Sequence, residues 1–311
     1  MKQKEKIAVV GSYAVGMTIV SDYFPEPGET VSGHDFQEMK GGKGSNQAVA
    51  AARMGAQVVY GTCVGKDEFG TEALEMYRKE NIDATYVRRS KTGMSTGVGL
   101  IYVNADGENE IVIDFAANKE YGIEDIEMMM PAIKSCKLLL MQLECSMEIV
   151  EYASRRCQEE GIPFILNPAP YDTLSEEILK RCTYLIPNQS EGRQILGLST
   201  DDPITDEMVA ERLFEKGAKN VIVTLGSNGV YVKNEHMKVH VEGNSVQAVD
   251  TTGAGDTFIG AFCVALAEGK DIVSAVKFGN AAAGIAVTRY GVIDAIPSRQ
   301  EVESFLRECV D

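Results

Sequence analysis

The chain has 311 residues, 44% of them hydrophobic, which is enough for one large domain or for a main domain with a smaller appendage. Asp and Glu number 46 against 30 Lys and Arg, and the net charge of −16 repels a phosphate backbone, so a nucleic-acid-binding protein is not expected. Seven cysteines without a Cys-x-x-Cys pair predict reduced thiols. The N-terminal apolar run of about five residues is too short for a signal peptide or a membrane span. We therefore predict a cytoplasmic protein without membrane association.

Apolar, β-rich runs alternate with amphipathic helical stretches along most of the chain. In chain order, the runs are KIAVVGSY, AQVVYGTCVG, CKLLLMQLE, PFILNPAP, TYLIPN and NVIVTLG. They are nearly continuous in Val, Ile and Leu, which is typical of strands that are buried on both faces of a parallel sheet. The pattern predicts an α/β fold with a central, mostly parallel sheet flanked by helices.

Two segments, at about 12–40 and 90–115, interrupt this alternation and have the pattern of exposed strands. The second is predicted to be a hairpin that turns at Asp106 and Gly107. Because neither segment is long enough to fold alone, we predict that they join as a small β-sheet lid over the carboxyl edge of the large sheet. The lid is then an insertion into a single domain that spans residues 1–311. Two irregular surface loops are the alternative.

The stretch GGKGSNQAVAAARMG, residues 41–55, combines a glycine loop with an Ala-rich helix that ends at Gly55. Gly41, Gly42 and Gly44 leave backbone amides uncovered at the helix start, where an anion or a hydroxyl-rich ligand is favoured. The stretch is not a Walker A loop, because a glycine follows the lysine where that loop has Ser or Thr. Close packing of the helix against the sheet is the alternative explanation of the glycines.

A second glycine loop, DTTGAGDTFIGAF, occupies residues 250–262. Gly253, Ala254 and Gly255 present amides, and Asp256 lies in the first turn of the apolar helix that follows. Amides stabilise charge on a moving phosphoryl group, and a carboxylate accepts the proton of an alcohol, so the motif predicts phosphoryl transfer to an alcohol. In the alternative, Asp256 only caps the helix.

These two motifs, at this separation, resemble the two signatures of the ribokinase-type carbohydrate kinases. Further stretches similar to that family are PEPGETVSG, MQLE, LNPAP, IPNQSE, VTLGSNGV and AAAGIAVTRYG. The resemblance implies ATP-dependent transfer of the γ-phosphoryl group to a hydroxymethyl group of a sugar or sugar derivative, with Mg²⁺ and with activation by K⁺. An apolar face on the lid has to be covered, which predicts a homodimer formed through two lids.

The resemblance also implies roles for individual residues. The implied catalytic base is Asp256, and the implied anion hole for the phosphoryl group consists of the amides of Gly253, Ala254 and Gly255. The implied sugar ligands are Gly42, Lys43, Asn46 and Glu144. For Glu144, the alternative is an exposed charge at a strand end.

The remaining implied residues concern the nucleotide and the ions. The implied nucleotide ligands are Asn188, Thr224, Gly226, Ser227 and Asn280. Glu191, in the Asn-x-x-Glu element with Asn188, is implied to hold Mg²⁺ through water, because Mg²⁺ keeps most of its waters and needs few protein ligands. The implied K⁺ site consists of Asp250 and of backbone carbonyls near Thr252, Ala286, Arg289 and Gly291.

One position departs from the family pattern. The family places an Asn and an Asp after the first strand to hold sugar hydroxyls, and this chain has Ala14 and Gly16 there. The change enlarges the pocket and removes a negative charge, which predicts a bulkier or branched sugar or a sugar acid in place of D-ribose, with Gly16 lining its pocket. In the alternative, Thr18 or a lid residue supplies the lost contact and ribose is retained. A nucleoside kinase and a non-catalytic ligand-binding protein of the same fold are the other functions left open.

Overall fold

The computed structural model describes residues 4–308. Within this range the strands are β1 (Lys6–Val10), β2 (Ala14–Val20), β3 (His34–Gly41), β4 (Gln57–Val64), β5 (Asp83–Arg89), β6 (Gly97–Val103), β7 (Asn109–Asp114), β8 (Leu139–Met141), β9 (Phe164–Leu166), β10 (Tyr184–Leu185), β11 (Asn220–Thr224), β12 (Val230–Asn234) and β13 (Lys238–Val241). The helices are α1 (Lys43–Arg53), α2 (Glu68–Lys79), α3 (Ile123–Ile133), α4 (Met147–Glu160), α5 (Glu176–Arg181), α6 (Gln189–Ile195), α7 (Asp206–Glu215), α8 (Ala254–Ala267), α9 (Ile272–Ala286) and α10 (Arg299–Glu308). Short 3₁₀ turns lie at Ala116–Glu120 and Gly226–Asn228.

The large sheet has the strand order β13-β12-β11-β10-β9-β8-β1-β4-β5. Its pairs from β11 to β5 are parallel, and only β12 and β13 add antiparallel pairs at one edge. The predicted α/β fold with a mostly parallel sheet is therefore confirmed. The edge strand β5 was not predicted, because its sequence DATYVRR is half exposed and lacks the continuous apolar run of a central strand.

Both faces of the large sheet are buried, as its apolar strands require. In β1, Ile7 and Val9 belong to one core that includes residues of α1, α8 and α9, whereas Ala8 and Val10 belong to a second core with residues of α3, α4 and α7. Successive side chains of a strand point to opposite faces, so a strand between two helical layers is apolar throughout. The carboxyl ends of β1, β8, β9 and β11 meet at one edge, where the loops described below lie.

A separate small sheet has the order β3-β2-β6-β7 and comes from the two interrupting segments. Its β2–β6 pair is parallel and its other pairs are antiparallel. The hairpin between β6 and β7 turns at Gly107, whose φ of 80° is in the left-handed region that favours glycine. The segments therefore form a sheet and not two irregular loops.

The side chain of Asn118 joins the chain segments that enter and leave the small sheet. Its Oδ1 accepts a hydrogen bond from Tyr13 N at 2.9 Å, and its Nδ2 donates to Tyr13 O at 2.8 Å. The carboxamide thus pairs with both the N–H and the C=O of one residue, as a neighbouring strand would. Asn118 is only 2% exposed, so water does not compete for these bonds. The start of β2 and the turn after β7 are consequently fixed to each other at one point.

Helices α1 and α8 pack against each other so closely that a side chain does not fit between them at Gly260. A Cβ atom there would lie 2.5 Å from Ala50 Cβ and 2.7 Å from Gln47 O. The close approach brings the N-terminal turns of the two helices, which carry the two glycine motifs, side by side.

Within residues 4–308, no helix combines the length and the apolar character that crossing a bilayer requires. Four of the cysteines, Cys63, Cys157, Cys182 and Cys263, are buried free thiols, and Cys136 and Cys145 are free and partly exposed. Cys309 lies outside the described residues.

Candidate active site

The first glycine loop packs the start of α1 against the end of β1. Gly42 precedes the helix with a φ of 92°, and a Cβ atom at Gly44 would lie 2.5 Å from Ser12 N. Close helix–sheet packing, the alternative explanation of this loop, is therefore a real part of its role. The same packing places the side chains of Lys43 and Asn46 at the edge of the large sheet.

Asp256 lies at the head of α8 and contacts α1. Its Oδ2 accepts a hydrogen bond from Asn46 Nδ2 at 2.9 Å, and its Oδ1 accepts one from Gln47 Nε2 at 2.8 Å. Asp256 is 7% exposed, and the helix cap is Gly253, which has a φ of 75°. Both carboxylate oxygens are thus turned towards α1, so the side chain does not serve as the helix cap.

The amides of the second loop lie at the N-terminus of α8. Ala254 N donates to Thr251 O across a long 3.3 Å bond. A Cβ atom at Gly255 would meet no atom within 4 Å, so the space in front of this residue is open. The positive end of the helix dipole faces this space, which favours an anion there.

Glu144 lies three residues after β8 and is bound to the first glycine loop. One of its oxygens accepts hydrogen bonds from Lys43 N, at 2.8 Å, and from Ser12 Oγ. Burial raises the pKa of Glu144, and the hydrogen bond from Ser12 and the charge of Lys43 oppose that shift. The carboxylate is therefore an anchored part of the site and not a free charge at a strand end.

Lys43 is the cation on which the acidic groups of the site converge. The Asp256 carboxylate raises the pKa of Lys43 most strongly, burial opposes this, and Glu144 and Glu191 raise it further. The arrangement keeps the ammonium group charged beside the space at the head of α8.

Asn188 and Glu191 form a reciprocal cap at the start of α6. Asn188 Oδ1 accepts from Glu191 N at 2.8 Å, and the Glu191 oxygens accept from Asn188 N and Asn188 Nδ2, both at 2.9 Å. Glu191 is 9% exposed, and burial raises its pKa. A buried carboxylate held in one orientation is suited to binding hydrated Mg²⁺, whose charge favours the ionised form.

The predicted nucleotide ligands form one continuous group next to this cap. Thr224 bridges to Asn188 as a short parallel strand pair. The turn with Gly226 and Ser227 packs against Gly243, where a Cβ atom would overlap Ser227 O. Asn280 Nδ2 donates to Glu242 O at 3.1 Å, which places α9 against the same segment.

Asp250 joins the two segments that carry the predicted K⁺ ligands. Its Oδ1 accepts from Thr252 N at 2.9 Å, and its Oδ2 accepts from Gly291 N at 3.2 Å. The carbonyl of Ala286 accepts the Arg289 amide at 3.1 Å in the turn that follows α9 and precedes Gly291. The residues with which K⁺ would be held are thus gathered behind the second glycine loop.

The small sheet faces Asn46 with the surface that carries Gly16. Gly16 pairs with Met39 and Gly99, and paired residues of neighbouring strands share a face. Gly41 lies on this face, and a Cβ atom there would lie 3.8 Å from Asn46 Oδ1. A Cβ atom at Gly16 would make only ordinary contacts, so the position is open.

Comparison with known proteins agrees with this geometry. Residues 4–299 match the family model described as pfkB family carbohydrate kinase. The chain belongs to the pfkB carbohydrate kinase family. Among pfkB relatives, a ribokinase of Haemophilus influenzae is 38% identical over 97% of this chain and 99% of its own length, and a deoxyribokinase of Salmonella typhi is 36% identical over 96% of this chain and 98% of its own. The structure of Arabidopsis thaliana ribokinase complexed with ribose and ATP has a TM-score of 0.90 and 28% identity, and the match covers 98% of this chain and 99% of that one.

Membership in the pfkB family confirms the resemblance to ribokinase-type kinases and the assignment to the sugar kinases. The structure also contains polar residues of this pfkB site that were not predicted: Ser12, Gln47, Gln142 and Asn167. All four are buried. Their signal in the sequence is a polar residue inside or directly after an apolar run, which alone does not tell a structural hydrogen bond from a functional one.

Proposed function

We propose that this pfkB kinase transfers the γ-phosphoryl group of ATP to a hydroxymethyl group of a sugar or sugar derivative. The observation that carries the proposal is the contact of Asp256 with Asn46, which joins the two glycine motifs in one site. The Asp256 carboxylate accepts the proton of the acceptor's hydroxymethyl group. The hydroxymethyl oxygen bonds to the γ-phosphorus, and the bond from that phosphorus to the oxygen of the ADP leaving group breaks.

The amides of Gly253, Ala254 and Gly255 and the ammonium group of Lys43 stabilise the charge on the transferred phosphoryl group. The nucleotide lies along the group formed by Asn188, Thr224, Gly226, Ser227 and Asn280. The ribokinase of Arabidopsis thaliana forms a complex with ribose and ATP, which supports the proposal that this kinase binds a sugar and ATP. Glu191 would hold Mg²⁺ through water, and Mg²⁺ supplies neutralisation of phosphate charge when bound.

The acceptor is proposed to be bulkier than D-ribose. Gly42, Lys43, Asn46 and Glu144 remain to bind hydroxyl groups, but Gly16 presents neither a carboxylate nor a side chain. A Cβ atom at Gly16 would lie 3.6 Å from Ile101 Cδ1 and 3.7 Å from Met39 O, so the position has room for an added group without overlap. The competing possibility also has support, because Thr18 Oγ1 is buried without a hydrogen-bond partner among the described residues and lies on the same face.

An ADP-release assay across acceptors tests this function. The panel contains D-ribose, 2-deoxy-D-ribose, hexoses, branched sugars, sugar acids and nucleosides. We expect turnover with a bulkier sugar, and we expect Gly16→Asp to raise kcat/KM for D-ribose about tenfold or more relative to that sugar. D-ribose as the best acceptor of the wild type contradicts the proposed acceptor. Nucleosides as the best acceptors indicate a nucleoside kinase, and ATP binding without any ADP release indicates a non-catalytic protein.

We further propose that K⁺ binds at the site around Asp250 and activates the enzyme, because the bound ion fixes the segment that leads into the second glycine loop. We expect KCl to raise kcat about fivefold or more over tetramethylammonium chloride at equal ionic strength, and Asp250→Asn to abolish this difference. Asp294→Asn, which removes an exposed carboxylate close to Gly291, serves as the matched control and keeps the activation. Equal activation of both variants contradicts the site.

The small sheet is proposed to act as a lid and to form a homodimer with a second lid. Its outer strand exposes large apolar side chains: Ile111 is 52% exposed, Val112 66% and Ile113 47%. Exposed apolar area of this kind marks association surfaces. Ile111 and Ile113 lie on the face that carries Gly16, and we propose that this face packs against the second subunit.

We also propose that the protein is cytoplasmic.

For the dimer, we expect Ile111→Glu to dissociate the protein, because it buries a charge in an apolar interface. Sedimentation velocity at micromolar concentration is expected to give twice the chain mass of 33.8 kDa for the wild type and the single mass for the variant. Val112→Glu, on the opposite face of the same strand, is the control. Dissociation by Val112→Glu alone would move the interface to the other face, and a monomeric wild type contradicts the dimer.

A further inference from the structure

Three buried carboxamides lie behind Asp256 and have no part in the roles proposed above. Gln47 belongs to α1, Gln142 follows β8, and Asn167 follows β9. Gln47 and Gln142 are 0% exposed and Asn167 is 5% exposed. Two of them stand in the MQLE and LNPAP stretches that carry the family resemblance. Buried amides are costly unless each is paired, so their arrangement needs an explanation.

The carboxylate of Asp256 sets the orientation of all three amides. Gln47 Nε2 donates to Asp256 Oδ1 at 2.8 Å and to Asn167 Oδ1 at 3.0 Å, which uses both of its hydrogens. Gln47 Oε1 is therefore turned towards Gln142, and it accepts from Gln142 Nε2 at 2.6 Å. Asn167 Nδ2 in turn donates to Ile186 O at 3.0 Å. Because an ionised carboxylate only accepts hydrogen bonds, no amide in this chain can be reversed without losing a bond.

The chain of amides ends in an unpaired acceptor. Gln142 Oε1 is buried without a hydrogen-bond partner among the described residues and lies directly against Gly11, where a Cβ atom would overlap it. Reversing the Gln142 amide would place its oxygen against Gln47 Oε1, so the orientation imposed from Asp256 is kept although one acceptor stays unpaired. The network therefore supplies a hydrogen bond to the Asp256 carboxylate although the oxygen of Gln142 remains without one.

The second oxygen of the carboxylate is held from the same helix. Asn46 Nδ2 donates to Asp256 Oδ2 at 2.9 Å, so adjacent residues of α1 bind the two oxygens separately. Rotation of the carboxylate about its Cβ–Cγ bond breaks both bonds, and the amides behind Gln47 keep that side chain from following. The free lone pairs of the carboxylate are thereby directed to a fixed place.

We infer that Gln47 is a positioning residue that holds Asp256 in the orientation for proton transfer, with Gln142 and Asn167 holding Gln47. The inference rests on the proposed role of Asp256 as the base. Gln47 does not touch the acceptor or the nucleotide in this scheme, and it acts only through the carboxylate. Its loss is therefore expected to lower kcat and to leave the KM values of both substrates nearly unchanged.

The test uses Gln47→Met, which keeps the length of the side chain and removes the donor. With the best acceptor of the panel, we expect kcat to fall about ten- to a hundredfold, as for loss of a hydrogen bond to a charged group. In the Asp256→Asn background the same substitution is expected to lower kcat no further, because its effect passes through the carboxylate. Asn234→Ala is the control: it removes a buried amide from β12, where Asn234 Oδ1 accepts from His236 N and Met237 N at 2.8 Å, and it is expected to leave kcat unchanged.

A wild-type kcat in Gln47→Met, or an equal additional loss in the Asp256→Asn background, overturns the inference. Crystal structures of the wild type and of Gln47→Met provide a readout that does not depend on turnover. We expect the Asp256 carboxylate to leave its position in the variant, and an unmoved carboxylate also overturns the inference. If Asp256→Asn itself retains full activity, the proposed role of the base fails, and the crystal structures still decide whether Gln47 positions the side chain.

Discussion

Asp256→Asn is expected to lower kcat by about 10²–10⁴-fold, the range for loss of a general base, while ATP binding stays nearly intact. The substitution removes the proton acceptor but almost no volume. It also leaves Asn46 Nδ2 and Gln47 Nε2 facing one oxygen and one NH₂ group, so one donor loses its partner. We therefore expect a loss of stability of about 1–3 kcal/mol in addition. The measurements are steady-state kinetics, ATP titration and thermal unfolding.

The control separates the chemistry from the loss of stability. Asp125 is a buried carboxylate in α3, 5% exposed, that accepts from Arg88 Nε and from Gly122 N. Asp125→Asn is expected to lower the unfolding temperature and to keep kcat, because the hydrogen-bond partners of this carboxylate belong to neither glycine motif. Full turnover in Asp256→Asn, or an equal loss of kcat in Asp125→Asn, would show that the base is wrongly assigned.

Gly260→Ala is expected to have the second largest effect, although no substrate touches this residue. The added Cβ would lie 2.5 Å from Ala50 Cβ and 2.7 Å from Gln47 O, so α1 and α8 have to move apart. Overpacking of this kind costs about 1–3 kcal/mol. The same movement separates Asp256 from the residues of α1 that hold it, and a displacement of about 1 Å at a catalytic group lowers activity about a hundredfold. Thermal unfolding and kcat are the two measurements.

Gly284→Ala is the matched control for stability. Gly284 is also a helical glycine, in α9, but a Cβ there would lie 3.5 Å from Asn244 Cβ, which is an ordinary contact. Since alanine is the better helix former, this variant is expected to be neutral or slightly stabilised. Equal stability of the Gly260 and Gly284 variants would mean that the helices are not in tight contact at Gly260.

The fold could largely be predicted because the strands of the large sheet are buried on both faces. Their uninterrupted apolar runs and the helical stretches between them leave few other architectures. The glycine loops and Asp256 could also be identified as a candidate site from the sequence, because a carboxylate beside free amides at the start of a helix is an unusual local combination. The edge strand β5 escaped prediction, since half-exposed strands have a mixed pattern.

The hydrogen bonds around Asp256 could not be predicted in the same way. Gln47 and Asp256 are 209 residues apart, and Gln47 and Gln142 are 95 apart, so only the packing of α1 between α8 and two strand ends brings them together. An amide in the sequence carries no sign of which partner it will meet. The acceptor could not be predicted either, because Gly16 has no side chain that would indicate which group binds there, and an open position fits several ligands.

The pairing of Asn118 with the backbone of Tyr13 has a consequence for the proposed lid. Because Asn118 ties the start of β2 to the turn after β7, a displacement of one of these segments is transmitted to the other. If the small sheet carries both the proposed acceptor surface and the proposed subunit surface, the two binding equilibria are coupled: acceptor binding then changes self-association by the same factor by which association changes acceptor affinity.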